Sequence, residues 1–224
     1  MFIPLRDENP TRRFPAVTVL LVALNIGVFL FQALSPQGLA HYVQRMGVIP
    51  YEITHFQTLA EGVRLPPPLT LVAALFIHGS LFHLLGNMLF LWIFGNNVED
   101  FLGPLRFALF YLFCGLGASL VQVLVSPHSQ VPMIGASGAI AGVLGAYFLL
   151  YPSARVMTLV FLFFFIRVVP IPAAYVLGLW FVLQILNVGL GGGVAWFAHI
   201  GGFLIGLALI RLLGSLGHRS ARAN

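Results

Sequence analysis

The sequence predicts an all-α polytopic membrane protein of six transmembrane helices. Three observations carry that prediction. Charged residues make up 8% of the 224 residues and hydrophobic ones 59%, with a mean hydropathy of +0.98, whereas water-soluble domains carry about 25% charged residues. Several apolar runs approach the roughly 20 residues that cross a hydrocarbon core of ~30 Å. All eleven basic residues are arginines, and they sit near the ends of those runs. Membrane orientation, rather than nucleic-acid binding, therefore explains the formal charge of +5.

The first span, 17–34, follows a charged head. No small-residue cleavage site comes after it, so it reads as a retained helix and not as a signal peptide. The second span is 71–94, with a later start possible, and the third is 105–125. The fourth, 137–151, rises only about 22 Å, too little for a full crossing, so its outer end is expected below the outer surface. The fifth is 171–188 and the sixth 194–213. Between the first two lies a long loop, 35–70, carrying Arg45, Glu52, Glu61, Arg64 and the run Pro66-Pro67-Pro68. Loops of this length tend to be functional or disordered. The segment 156–169 is apolar but short, with Pro170 and Pro172 after it, and is expected to be interfacial or packed on the bundle. Were it to span, the count would be seven and the C-terminus would change sides.

Six spans place Arg6, Arg12, Arg13, Arg106, Arg155, Arg167, Arg211, Arg219 and Arg222 on one side and Arg45 and Arg64 on the other. That bias puts both termini in the cytoplasm and the long first loop outside. The organisation is then a cytoplasmic segment (1–16), a six-helix domain (17–214) and a cytoplasmic tail (215–224). No internal repeat suggests an inverted-repeat transporter. The lone Cys114 excludes an intramolecular disulfide.

Polar residues within spans are costly and usually face a bundle interior or a water cavity. His83 and Asn87, four apart, share one helix face and both donate hydrogen bonds; interhelical glue is the plainer alternative. His78, about 500° of helical rotation before His83, is expected to point elsewhere. Ser137 opens the fourth span, either as an N-cap or as a nucleophile. In the sixth span His199 shares a face with Gly202 and Gly206, and the fourth span has Gly138, Gly142 and Gly145. Small residues four apart let helices approach closely, which would bring Ser137 within hydrogen-bond reach of His199. The second, fourth and sixth spans all enter from outside, so the four polar side chains converge at one depth. A serine needs an adjacent base, and His199 is the candidate. Donors for an oxyanion would be the Ser137 amide at a helix N-terminus and the His83 and Asn87 side chains. No carboxylate lies in any span to orient His199, which makes this a dyad, and hydrolysis would require a cavity open to the outside.

The ordered set HLLGN at 83–87, GASG at 135–138 and AHIGGFLIG at 198–206 closely resembles the rhomboid intramembrane serine proteases. The resemblance covers nearly the whole chain from the first span onward. It implies a six-helix rhomboid-like bundle that cleaves transmembrane protein substrates within the lipid bilayer, near their outer ends. By it, Ser137 is the nucleophile and His199 the general base, later the acid. His83, Asn87 and the Ser137 amide form the oxyanion hole. His78 supports the cavity, Gly135, Gly138, Gly202 and Gly206 support the packing, and Glu99 has a structural role. Trp180 and Gln184 on the fifth span would belong to a lateral gate. No cofactor, metal or nucleic acid is implied, and a bacterial inner membrane is the expected location. Two positions depart from the family pattern. Arg64 has no tryptophan beside it, and Ala141 stands where some members place a tyrosine against the catalytic histidine. His199 must then be held in another way, with Phe90, Trp92 and Trp196 the aromatics nearest in sequence. The alternatives are an inactive rhomboid-like protein that binds membrane helices, and a transporter or haem bundle built on the histidines. The HExxH zinc pattern is absent.

Overall fold

A computed structural model describes residues 2–59, 65–162, 165–189 and 193–220. Glu61 and Arg64 of the first loop lie outside the described residues. The molecule is a helical bundle with a small sheet at one end. In chain order it comprises β1 (Phe2–Asp7), α1 (Ala16–Leu34), α2 (Gly38–Met46), α3 (Pro50–His55), α4 (Pro67–Ala73), α5 (Leu81–Leu102), α6 (Pro104–Val125), α7 (Ser137–Leu150), β2 (Arg155–Leu162), β3 (Phe165–Pro172), α8 (Ala173–Leu186) and α9 (Trp196–Ser220).

Four helices are long and apolar enough to cross a membrane: α1, α5, α6 and the stretch Trp196–Gly214 of α9. The other two expected spans are α7 and α8, each of 14 residues, or roughly 21 Å of rise. Helix α1 shows which solvent the bundle is built for. Its buried residues are Thr18, Asn25, Phe29 and Gln32, while Leu20, Leu30, Phe31 and Leu34 are exposed. A helix that turns polar groups inward and leucines outward suits lipid, where association rests on packing and hydrogen bonds.

The second span starts later than 71. Helix α4 and a 3-10 turn at Ala74–Phe76 precede an extended break at Ile77 (φ −90°, ψ 133°). Ser80 then caps α5, its Oγ accepting a hydrogen bond from the His83 amide at 3.2 Å. Helix α5 ends at Gly103 (φ 77°), and Pro104 opens α6 at once. The first loop is largely helical, comprising α2, α3 and α4, and is tied to the α6–α7 connection by an antiparallel bridge between Val48 and Met133.

In its described residues the segment 156–169 is strand and not helix. It makes the antiparallel hairpin β2–β3, and β1 adds to β2, from Phe2 opposite Val160 to Asp7 opposite Val156. Its β-branched and aromatic residues favour strands. Pro170 and Pro172 are tolerated because β3 is an edge of the sheet.

The N-terminal segment is fastened to the sheet end of the bundle. Glu99 receives the Val17 amide at 2.9 Å and the Thr18 amide and hydroxyl at 2.7 Å, so a buried carboxylate satisfies the first N–H groups of α1 and complements its dipole. Asp100 accepts the Arg12 and Arg13 amides, Asn97 donates to the Asn9 carbonyl, and the Tyr147 hydroxyl donates to Asp7 at 2.7 Å. At the centre, α7 buries every residue from Gly138 to Tyr147.

Candidate active site

Helix α7 is central because its glycines admit neighbouring backbones. A Cβ at Gly206 would collide with the Gly142 carbonyl oxygen, one at Gly202 with the Gly138 carbonyl oxygen, and one at Gly145 with that of Phe203. The i, i+4 and i, i+3 glycine spacings of α7 and α9 therefore form a seam of backbone on backbone. On α7's other side a Cβ at Gly138 would stand 2.7 Å from that of Ala118 on α6, and one at Gly142 would strike Cys114.

At the end of the seam away from the sheet, Ser137 Oγ lies 2.7 Å from His199 Nε2. Ser137 is the first residue of α7. The cap position belongs to Ala136, and Ser137 makes no capping bond; its hydroxyl faces the histidine instead. Both residues line a cavity of about 1000 Å³ that also takes in His83, Asn87, Trp180 and Gln184. No Asp, Glu, Lys or Arg lines this cavity among the described residues.

His83 and Asn87 share one face of α5, as their spacing requires. Gly135, at φ 106°, passes directly against them: a Cβ there would lie 2.7 Å from His83 Nε2 and 3.5 Å from Asn87 Nδ2. Only a glycine satisfies both the positive φ and the close approach.

His78 does not point elsewhere. Its ring packs edge-on to that of His83 with centroids 5.0 Å apart, and Asn87 Nδ2 donates to its Nε2 at 3.0 Å. Helical rotation does not apply, because α5 begins only at Leu81 and His78 lies in the break before it. The Gln32 side chain on α1 accepts the His78 amide at 3.3 Å.

His199 has the support that the missing tyrosine and carboxylate left open. Gln184 Oε1 lies 2.8 Å from His199 Nδ1. Trp180 and Trp196 flank the imidazole at centroid distances of 6.0 and 6.1 Å. Phe90 lines the cavity wall, whereas Trp92 is exposed. Gln184 is expected by resemblance at a lateral gate; the signal for its inward aim is a polar side chain in an apolar helix. Chemically, an imidazole whose Nδ1–H donates to an oxygen presents its Nε2 lone pair to the serine hydroxyl. That is the geometry of a general base beside a nucleophile.

Residues 68–216 match the family model of the Rhomboid domain. The chain is 31% identical over 203 residues to rhomboid protease GluP of Bacillus subtilis, covering 89% of this chain and 35% of that protein. It is 29% identical over 150 residues to the mitochondrial Rhomboid protein 1 of Saccharomyces cerevisiae, covering 62% and 40%. It is 34% identical over 122 residues to the chloroplastic Rhomboid-like protein 11 of Arabidopsis thaliana, covering 54% and 38%. The chain thus matches no more than 40% of the length of any of these three relatives.

Proposed function

This chain belongs to the rhomboid family, and from that premise we propose that it is an intramembrane serine endopeptidase that hydrolyses peptide bonds in or near the transmembrane helices of substrate proteins. The observation that carries this reading is the 2.7 Å approach of Ser137 Oγ to His199 Nε2 on the wall of a large cavity.

In this mechanism Ser137 Oγ attacks the scissile carbonyl carbon as its proton passes to His199 Nε2. The negative charge that develops on the carbonyl oxygen is received by the Ser137 amide, with the α7 dipole behind it, and by the His83 and Asn87 side chains. Collapse of the tetrahedral intermediate breaks the C–N bond, and His199 returns the proton to the leaving amine. The acyl-enzyme is then attacked by a water whose proton goes to His199, releasing the carboxylate product and regenerating the serine. The 14-residue α7 begins below the outer surface, so the bond is cut where a substrate helix must unwind. The substrate class this favours is a transmembrane helix with a small residue at the scissile bond and helix-breaking residues beyond it. Cuts confined to soluble extended peptides would contradict that class.

The protein is an integral membrane protein. We propose a cytoplasmic segment at 1–16, six spans within 17–214 and a cytoplasmic tail at 215–224, by the arginine bias of 9 against 2. The site then opens to the outer side, and the sheet lies on the cytoplasmic side.

A fluorescent fluorophosphonate tests the reading directly. Wild type, reconstituted in lipid, is expected to give a labelled band that Ser137→Ala and His199→Ala lose. An unlabelled wild type in lipid, with the same helical content, would instead indicate a non-catalytic protein that binds membrane helices.

A further inference from the structure

We propose that Gln184 is a positioning residue for His199: it fixes the imidazole in the Nδ1–H tautomer and so adds to the Ser–His dyad a third, orienting side chain that comes from α8. This rests on the protease reading for its catalytic consequence, but not for its geometry.

Helix α8 buries few side chains. Only Ala173, Leu177 and Gln184 are buried, while Tyr175, Val182, Ile185 and Leu186 are exposed. An amide among the three residues this helix turns inward is an expensive choice unless both of its ends are bonded. Both ends are. Gln184 Nε2 donates to the Trp180 carbonyl one turn earlier at 2.9 Å. That bond fixes which end of the amide is the donor and leaves Oε1 facing His199 Nδ1 at 2.8 Å. An oxygen in that position can only accept, so Nδ1 carries the proton. Nε2 is then the free base, aimed at Ser137 Oγ. The opposite tautomer would set a lone pair against a carbonyl oxygen and a proton against the serine.

Among the described residues Gln184 Oε1 is the partner recorded for Nδ1. The titratable groups around the ring are His83 of α5 and Ser137 of α7, and no carboxylate lines the site among the described residues. A neutral amide orients the base without adding the negative charge that a carboxylate would. It also makes orientation depend on α8 being seated, because α7 and α9 alone supply the Ser137–His199 contact and nothing at Nδ1.

The test uses the full chain in lipid with ring-15N histidine, His199 being assigned by difference against His199→Asn. In wild type, Nδ1 is expected as the protonated nitrogen and Nε2 as the unprotonated one. In Gln184→Leu, which keeps the bulk and removes the acceptor, a mixture of tautomers is expected. Fluorophosphonate labelling of Gln184→Leu should slow by about 10- to 100-fold, a part of the 10²–10⁴ that a positioned base contributes. Gln184→Glu restores an acceptor. It should recover the single tautomer and move the acid limb of the labelling profile to higher pH, because a carboxylate favours the imidazolium. A wild-type tautomer ratio in Gln184→Leu would overturn the proposal. So would equal slowing in both variants with an unmoved acid limb, which is the signature of packing alone. If wild type shows the single tautomer but no label, the protease reading fails and the positioning geometry stands.

Discussion

The α7–α9 seam and helix α8 hold the same histidine by opposite means. In the seam, glycines bring main chain against main chain, and there is no side chain left to adjust. Helix α8 reaches the site through one amide and one indole and exposes half of its other residues. The difference teaches how a membrane bundle divides its tasks. The serine–histidine distance is set where the backbone cannot yield, and the orientation of the imidazole is set by an element that joins the core through fewer side chains, Ala173 and Leu177 among them.

Breaking the seam should have the largest effect. In Gly206→Val the new Cβ and its methyls meet the Gly142 backbone, where no rotamer change relieves them. Overpacking of this kind typically costs 1–3 kcal/mol, and with backbone on both sides about 3 kcal/mol or more is expected. Thermal melting in detergent should show a large loss, with fluorophosphonate labelling abolished. A variant that melts like wild type and labels normally would mean that the helices can separate without consequence.

Next in size is Gly135→Ala, at the edge of the seam. Its φ of 106° and the 2.7 Å approach to the His83 ring both resist a methyl group. The ring must swing away, and loss of one donor of the proposed oxyanion hole would cost about 10²–10³ in rate. A fall in the cleavage rate constant with a nearly unchanged KM is expected. An equal fall in melting temperature and rate would assign Gly135 to folding instead.

The far end of the seam offers a smaller effect that depends on pH. The Tyr147 hydroxyl on α7 bonds Asp7 of β1, and burial holds the Asp7 carboxyl above its ordinary 3.8, against the lowering effect of that bond. A raised folded-state value means that the native protein binds the proton more tightly than the unfolded chain. Its contribution to stability is therefore present below the unfolded value and is lost as pH rises through the folded one. Asp7→Asn cannot ionise yet still accepts the tyrosine's hydrogen. It should flatten that pH dependence and leave stability at neutral pH equal to wild type or slightly higher. Melting curves from acid to neutral pH decide this, and a steeper dependence in the variant would reverse the sign.

These sites were not equally visible in the sequence. Ser137, His199, His83 and Asn87 were legible because each lies on a regular helix, where spacing fixes the face, and because glycines marked which faces could touch. His78 was misplaced because its direction depends on where α5 begins, and Ser80 decides that with a single cap. The sheet was missed because β2–β3 reads as an apolar run of either kind and because its third strand comes from more than 150 residues away, Phe2 opposite Val160. Gln184 could be seen as polar in an apolar helix, but its aim at His199 follows from how α8 packs, which periodicity does not encode.

The smallest predicted effect puts the same chemical change on the yielding side of the comparison. Gly178 lies within α8, and a Cβ there would meet only Phe148 at 3.8 Å, an ordinary contact. Gly→Ala in a helix interior removes unfolded-state freedom and gains roughly 0.5–1 kcal/mol. Gly178→Ala should therefore melt slightly higher than wild type, whereas Gly202→Ala, whose Cβ meets the Gly138 carbonyl oxygen, should melt lower. If the stiffer α8 also cleaves a transmembrane substrate more slowly while labelling with the small fluorophosphonate at the wild-type rate, then movement of α8 limits substrate entry rather than chemistry. Equal cleavage rates would confine the role of α8 to holding Gln184 against His199.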